Sequence, residues 1–165
     1  MPLAAIDDLR QVYRSALTGG LVQLDVMEVD GIPAIKLIAK SRQQDPRMMT
    51  YLGALTFLRR DFCYVLKIQC SEYGITGIRE AVVGNRCSRD GRVIIDKDQI
   101  RGWAADPYDS SIQDDLLNTL ADAEEYDAEF PDHPLSRLRR YLRTIQESVV
   151  ISVALRSAHP FQGID

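Results

Sequence analysis

Apolar residues Ile6, Leu9, Tyr13, Ala16 and Leu17 recur at the three-to-four spacing of one helix face, with Asp7 and Asp8 in the first turn. Gly19 and Gly20 then end that pattern. The runs LVQLDVMEV and IPAIKLIAK follow, joined at Asp30-Gly31, a pair that tolerates the positive φ angles of a tight hairpin. In the second run Ile35, Leu37 and Ala39 share a face, and Lys36 and Lys40 are expected to point away from it. MTYLGALTFL and FCYVLKIQC come next, separated only by Arg59-Arg60-Asp61. In the last of these, Tyr64, Leu66, Ile68 and Cys70 alternate with Cys63, Val65, Lys67 and Gln69, which predicts a core face and a wetter face. Short links imply antiparallel neighbours, so residues 21–70 read as a four-stranded meander.

Beyond it the pattern returns to helical spacing. A second helix is expected to carry Ile75, Ile78 and Val82, and a short strand is open around Val93, Ile94 and Ile95. Ser110 or Ser111 would cap a third helix bearing Ile112, Leu116, Leu117 and Leu120. Leu135, Leu138, Leu142 and Ile145 form the stripe of a last helix. The run VVISV fits a short strand or that helix's final turns, and HPFQGID fits a frayed tail. The fold class is therefore α+β, an antiparallel meander flanked by helices. It reads as one domain over 1–165, with an α-β4-α core at 6–83 and an acidic, helical extension at 84–165.

Charge sharpens this division. Residues 106–132 hold ten acids and no lysine or arginine, so the rest carries +6 against an overall −4. Such a segment is a solvated face, or it meets a basic surface belonging to a partner or to the chain itself. The arginines that follow, with Arg137 and Arg140 the foremost and Arg139 and Arg143 beside them, are the internal candidates; Glu124, Glu125 and Asp127 are the acids expected to bind. The acidic pI near 5.2 argues against nucleic acid, although Lys36, Lys40, Arg59, Arg60, Lys67 and Tyr51 could line a basic sheet face. No apolar run approaches a membrane span, and the start lacks a secretory pattern, so a cytoplasmic protein is expected. Cys63, Cys70 and Cys87 lack CxxC spacing and read as free thiols.

Candidate chemistry is sparse. In EFPDHPLSRLRR, Pro134 suits the first turn of a helix with Asp132 or His133 at the cap, and Phe130 could staple onto Leu138. His133 is the one candidate for catalysis, Asp106 and Asp109 are the candidate metal ligands, and no cofactor is called for. Trp103 is expected to plug a loop against the core.

The hairpin EVDGIPAIKLIAK after a helix resembles the PsbP-like α+β fold, through Val29, Gly31, Pro33 and Ala34, over about residues 6–83. The hairpin that usually leads that fold has no counterpart before Ile6, so a sheet edge would be uncovered or filled by VVISV. Photosystem accessory proteins, a Ran-binding nuclear transport factor and adaptors that load type VI secretion effectors share the fold. The resemblance implies protein binding, and the expected function is a non-enzymatic binding or adaptor domain. The alternative is a small hydrolytic or metal-dependent enzyme using His133 with nearby aspartates.

Overall fold

The computed structural model describes residues 6–97 and 99–161. Helix α1 (Ile6–Ala16) leads into four antiparallel strands in sequential order: β1 (Gly20–Val29), β2 (Ile32–Arg42), β3 (Met49–Leu58) and β4 (Cys63–Ser71). The meander is as the alternation predicts. Asp30 and Gly31 take φ of 47° and 72°, the two left-handed positions of the expected tight turn, and Val29 faces Ile32 across it.

Both faces of the sheet are covered. Leu21, Leu24, Ile35, Leu37 and Ala54 pack with Leu9 of α1. Ala34, Ile38, Tyr51 and Leu55 pack on the other side with Leu135, Leu138 and Leu142 of α3 (Pro134–Ser148), so the last long helix belongs to the same core as the meander. Gly53 lets α3 lie close, since a Cβ there would stand 2.8 Å from Leu142 Cδ1 and 2.9 Å from Leu138 Cδ1. Edge strand β4 is less covered than its alternation suggests. Leu66 and Ile68 are half-buried and Cys70 is buried, but Tyr64 is exposed, because α3 does not reach the strand's start.

Helix α2 (Ile78–Arg89) buries Arg79, Val83 and Cys87, not the expected Ile78 and Val82, which face outward; Ile75 lies before the helix. Val83 and Cys87 pack with Trp103, Ala121, Tyr126 and Phe130, so Trp103 does plug the core, while Phe130 joins this cluster instead of Leu138's. Strands β5 (Ile94–Asp96) and β6 (Gln99–Arg101) form an exposed hairpin.

The expected third helix does not form. Asp109 bonds the Ser111 N–H and hydroxyl, and Asp114 bonds the Asp115 N–H, so short acids take up the backbone that a helix would need. The segment instead pairs β7 (Ala104–Ala105) with β8 (Asn118–Thr119), then makes two 3-10 turns, Leu120–Asp122 and Glu124–Tyr126. VVISV forms neither a strand nor the last turns of α3; only its final Val153 is helical, opening α4 (Val153–Ser157). Val149 ends α3, Ile151 is buried, and Ser152 caps α4. Its tail is tied to the end of β3, where Arg60 N–H donates to His159 O at 3.0 Å.

Candidate functional site

His133 closes the N-terminus of α3, as the Pro134 signal predicts. Its Nδ1 accepts the Leu135 N–H at 3.3 Å, and Pro134 occupies the first turn. Because Nδ1 accepts, the neutral ring carries its proton on Nε2. That atom points inward. The Tyr51 ring meets the imidazole edge-on with centroids 5.5 Å apart, leaving the His133 side chain only 9% exposed.

Two glutamates converge on the same atom. Glu72 follows β4, and Glu80 stands in the first turn of α2. Gly74 and Gly77, at φ of 72° and 75°, shape the connection between them. Nε2 of His133 lies 3.5 Å from Glu80 Oε1 and 3.8 Å from Glu72 Oε1. The Glu72 side chain is 6% exposed, and its Oε2 accepts the Met49 N–H at 2.7 Å. His133 Nε2 and Glu80 Oε2 are buried and have no hydrogen-bond partner among the described residues.

The two carboxylates differ in acidity for physical reasons. Burial raises Glu72 above the ordinary glutamate value and nearby Glu80 adds to the rise, against the pull of the Met49 amide. Burial acts the same way on Glu80, but the His133 ring and the backbone N–H of Glu80 itself together hold its carboxyl below the ordinary value. At 3.5 Å the His133 contact is at the outer limit of a hydrogen bond.

A second buried polar group adjoins. Lys40 Nζ lies 2.6 Å from Asp122 Oδ2, and both side chains are almost fully enclosed. Lys40 therefore does not point to solvent as the β2 alternation suggests. Thr119 N–H and hydroxyl also donate to Asp122, and Tyr51 OH approaches it at 3.5 Å. Burial pushes the Asp122 carboxyl up, but Lys40 and the Thr119 donors bring it below the ordinary aspartate value.

Two clefts reach this region, and Glu72 lines both. One, of about 390 Å³, runs between the β4–α2 connection and the start of α3, with Tyr73, Ile75, Ile78, Phe130 and Pro131 as apolar walls and His133 at its floor. The other, of about 380 Å³, includes Lys40, Tyr51, Glu80, Trp103 and Asp122.

The sequence-derived residues are placed unevenly. His133 is in the cluster, and the carboxylates within 4 Å of its Nε2 are glutamates, not the aspartates expected. Asp106 is taken by Arg14 at 2.6 Å and by the Tyr108 and Asp109 amides, and Asp109 by Ser111, so those two acids act as turn caps. Asp127 lies between Arg79 and Arg139, at 2.9 and 3.0 Å, and Glu124 pairs with Arg143. Glu125 is exposed, Arg137 lines the first cleft, and Arg140 bonds the Pro131 carbonyl. Arg59 and Tyr51 are buried, so the basic sheet face is not formed. Sequence reasoning missed Glu72 and Glu80, whose one local signal is a carboxylate in the first turn of α2. The three cysteines are free, and Cys63 is the exposed one.

No family model, curated protein or solved structure matches this chain. No helix among the described residues is long and apolar enough to cross a membrane.

Proposed function

We propose that this chain is a protein-binding domain, and that the cleft between the β4–α2 connection and α3 takes an apolar segment of another protein carrying a lysine or arginine. The observation that carries this reading is the wall of that cleft. Tyr73 and Ile75 are 78% and 86% exposed, and Ile78 stands beside them half in solvent. Large side chains gathered in a concavity mark a contact surface, and covering each is worth about 1.5–3 kcal/mol.

Charge selects the partner's polar end. Glu72, Glu129 and Asp132 line the cleft against Arg79 and Arg137. Arg79 is already bound to Asp127 and to backbone carbonyls, and Glu129 is paired with Arg86, which leaves Glu72 and Asp132 against Arg137. Asp132 is exposed at the rim and suits an incoming lysine or arginine. The PsbP-like reading of residues 29–34, itself a proposal, points toward protein binding as well.

Panning a displayed library of short random peptides on the intact protein tests the reading. Enriched peptides should be apolar with a basic residue, and Ile75→Asp or Tyr73→Ser should weaken their binding by about tenfold or more. Asp132→Lys should remove the preference for a basic residue. Failure to enrich, or binding indifferent to all three substitutions, would sink the idea.

A further inference from the structure

We propose that Glu72, Glu80 and His133 form a binding site for one divalent ion of the zinc class. The claim does not depend on what fills the apolar cleft: Glu72 and His133 also line it, but its apolar walls are Tyr73, Ile75, Ile78, Phe130 and Pro131. Three elements deliver these donors: the end of β4, the first turn of α2 and the cap of α3. One ligand atom from each lies within 4.8 Å of the other two. The independent sign of a ligand is the state of the inward atoms. His133 Nε2 and Glu80 Oε2 are buried without hydrogen-bond partners among the described residues, on a histidine more than nine-tenths enclosed.

Charge points the same way. Two carboxylates face one another here, and the nearby cations are engaged: Lys40 with Asp122, Arg79 with Asp127. A divalent ion would balance the pair. Zinc bonds of about 2.0–2.2 Å in a tetrahedron set donors roughly 3.3 Å apart. The 3.5 and 3.8 Å separations from His133 Nε2 are within about half an ångström of that, and the two carboxylate oxygens, within 4.8 Å of one another, would draw together as the ion binds. Met49 N–H fixes Glu72 through Oε2 and leaves Oε1 for the ion, the kind of outer hydrogen bond that orients metal ligands. One imidazole with two carboxylates is too poor in oxygen for calcium and suits a zinc-class ion. Because Glu72 lines both clefts, a remaining position is open to water or to a donor from a bound molecule.

This site makes an unusual demand. Nε2 must lose its proton to bind the ion, so the neutral ring must carry it on Nδ1, where it now accepts the Leu135 N–H. Binding therefore moves one proton across the ring and releases the helix cap.

The test uses the full chain with Cys63→Ser, to remove the exposed thiol, stripped of metal and titrated with Zn²⁺ alone. Calorimetry should give one ion per chain, with a raised melting temperature. Glu72→Gln, Glu80→Gln and His133→Asn should each weaken binding by about tenfold or more; asparagine keeps a cap acceptor but removes Nε2. Magnesium and calcium at equal concentration should not displace the zinc. Nitrogen-15 spectra of the His133 ring should show the proton leaving Nε2 for Nδ1 as zinc is added. Absence of one-to-one binding, an affinity unchanged from the parent in all three variants, or a ring that stays protonated on Nε2 at saturating zinc would each overturn the proposal. Circular dichroism identifies a variant that does not fold, and the ring spectrum of the chain with native ligands then decides alone.

Discussion

The meander with α1 and α3 is held by different means from the segment between α2 and α3. In the first region Leu24, Ile38, Leu55, Leu138 and Leu142 are completely enclosed, and the strands pair their own backbone. The second has strands of two or three residues and single 3-10 turns, too short to satisfy their own carbonyls. Arginines supply the missing donors. Arg79 gives Nε to Ala121 O at 2.6 Å and a terminal nitrogen to Ala123 O at 2.8 Å, and Arg139 gives one to Asp122 O at 2.7 Å. Three consecutive carbonyls are thus met from α2 and α3, with Asp127 balancing the two guanidinium groups. An irregular segment can thus have its buried carbonyls satisfied when neighbouring helices lend it donors.

Removing Arg79 should do the most damage. Arg79→Met is expected to cost about 3–5 kcal/mol, because it leaves buried acceptors and part of a charge unmet. Urea midpoints measure the loss, and hydrogen exchange should quicken in 118–133 before it does in β2 and β3. Leu138→Ala should cost about 2–5 kcal/mol and lower protection across the strands instead. If both variants loosened the same amides, the contrast between the regions would fail.

Acid should separate Asp122 from Glu72. The folded pKa of Asp122 is depressed, so its contribution is present above the unfolded value near 3.9 and is lost as pH falls through the folded one. Glu72 is the reverse: its folded pKa is raised, so stability falls as pH climbs past the ordinary 4.5. In metal-free protein, Glu72→Gln should melt higher than the parent near neutral pH, with the gap closing in acid. A melting curve series in which the glutamine variant is never the more stable would contradict that assignment. The smallest effect is expected at Arg143→Ala, about 0–1 kcal/mol in urea, since its pair with Glu124 is solvent-exposed.

What could be read in advance was what is local. Alternation and Asp30-Gly31 define the meander, and Pro134 defines the start of α3, because each signal acts within a few residues. Lys40 looked solvent-facing because its partner Asp122 is 82 residues away. The helical spacing of Ile112, Leu116, Leu117 and Leu120 was real but lost to aspartates that bond their own backbone. At α2, tertiary packing chose Arg79 over Ile78 for the interior, since only the guanidinium could reach those carbonyls. Of the candidate site, His133 was legible as a cap with chemical potential; Glu72 and Glu80 were not, because they approach it only once β4, α2 and α3 are packed.

Tyr108 straddles the free side of β1, its hydroxyl accepting the Leu24 N–H at 2.7 Å and donating to the Leu24 carbonyl at 3.2 Å. Leu24 has no spare pair to offer a newcomer, whereas among the described residues no strand lies beyond β4. Open-ended stacking of copies needs two receptive edges, one to give and one to take. With Leu24 already satisfied by a phenol, a strand laid along β1 would find a gap in its ladder, which makes that edge the less receptive of the two and works against open-ended stacking.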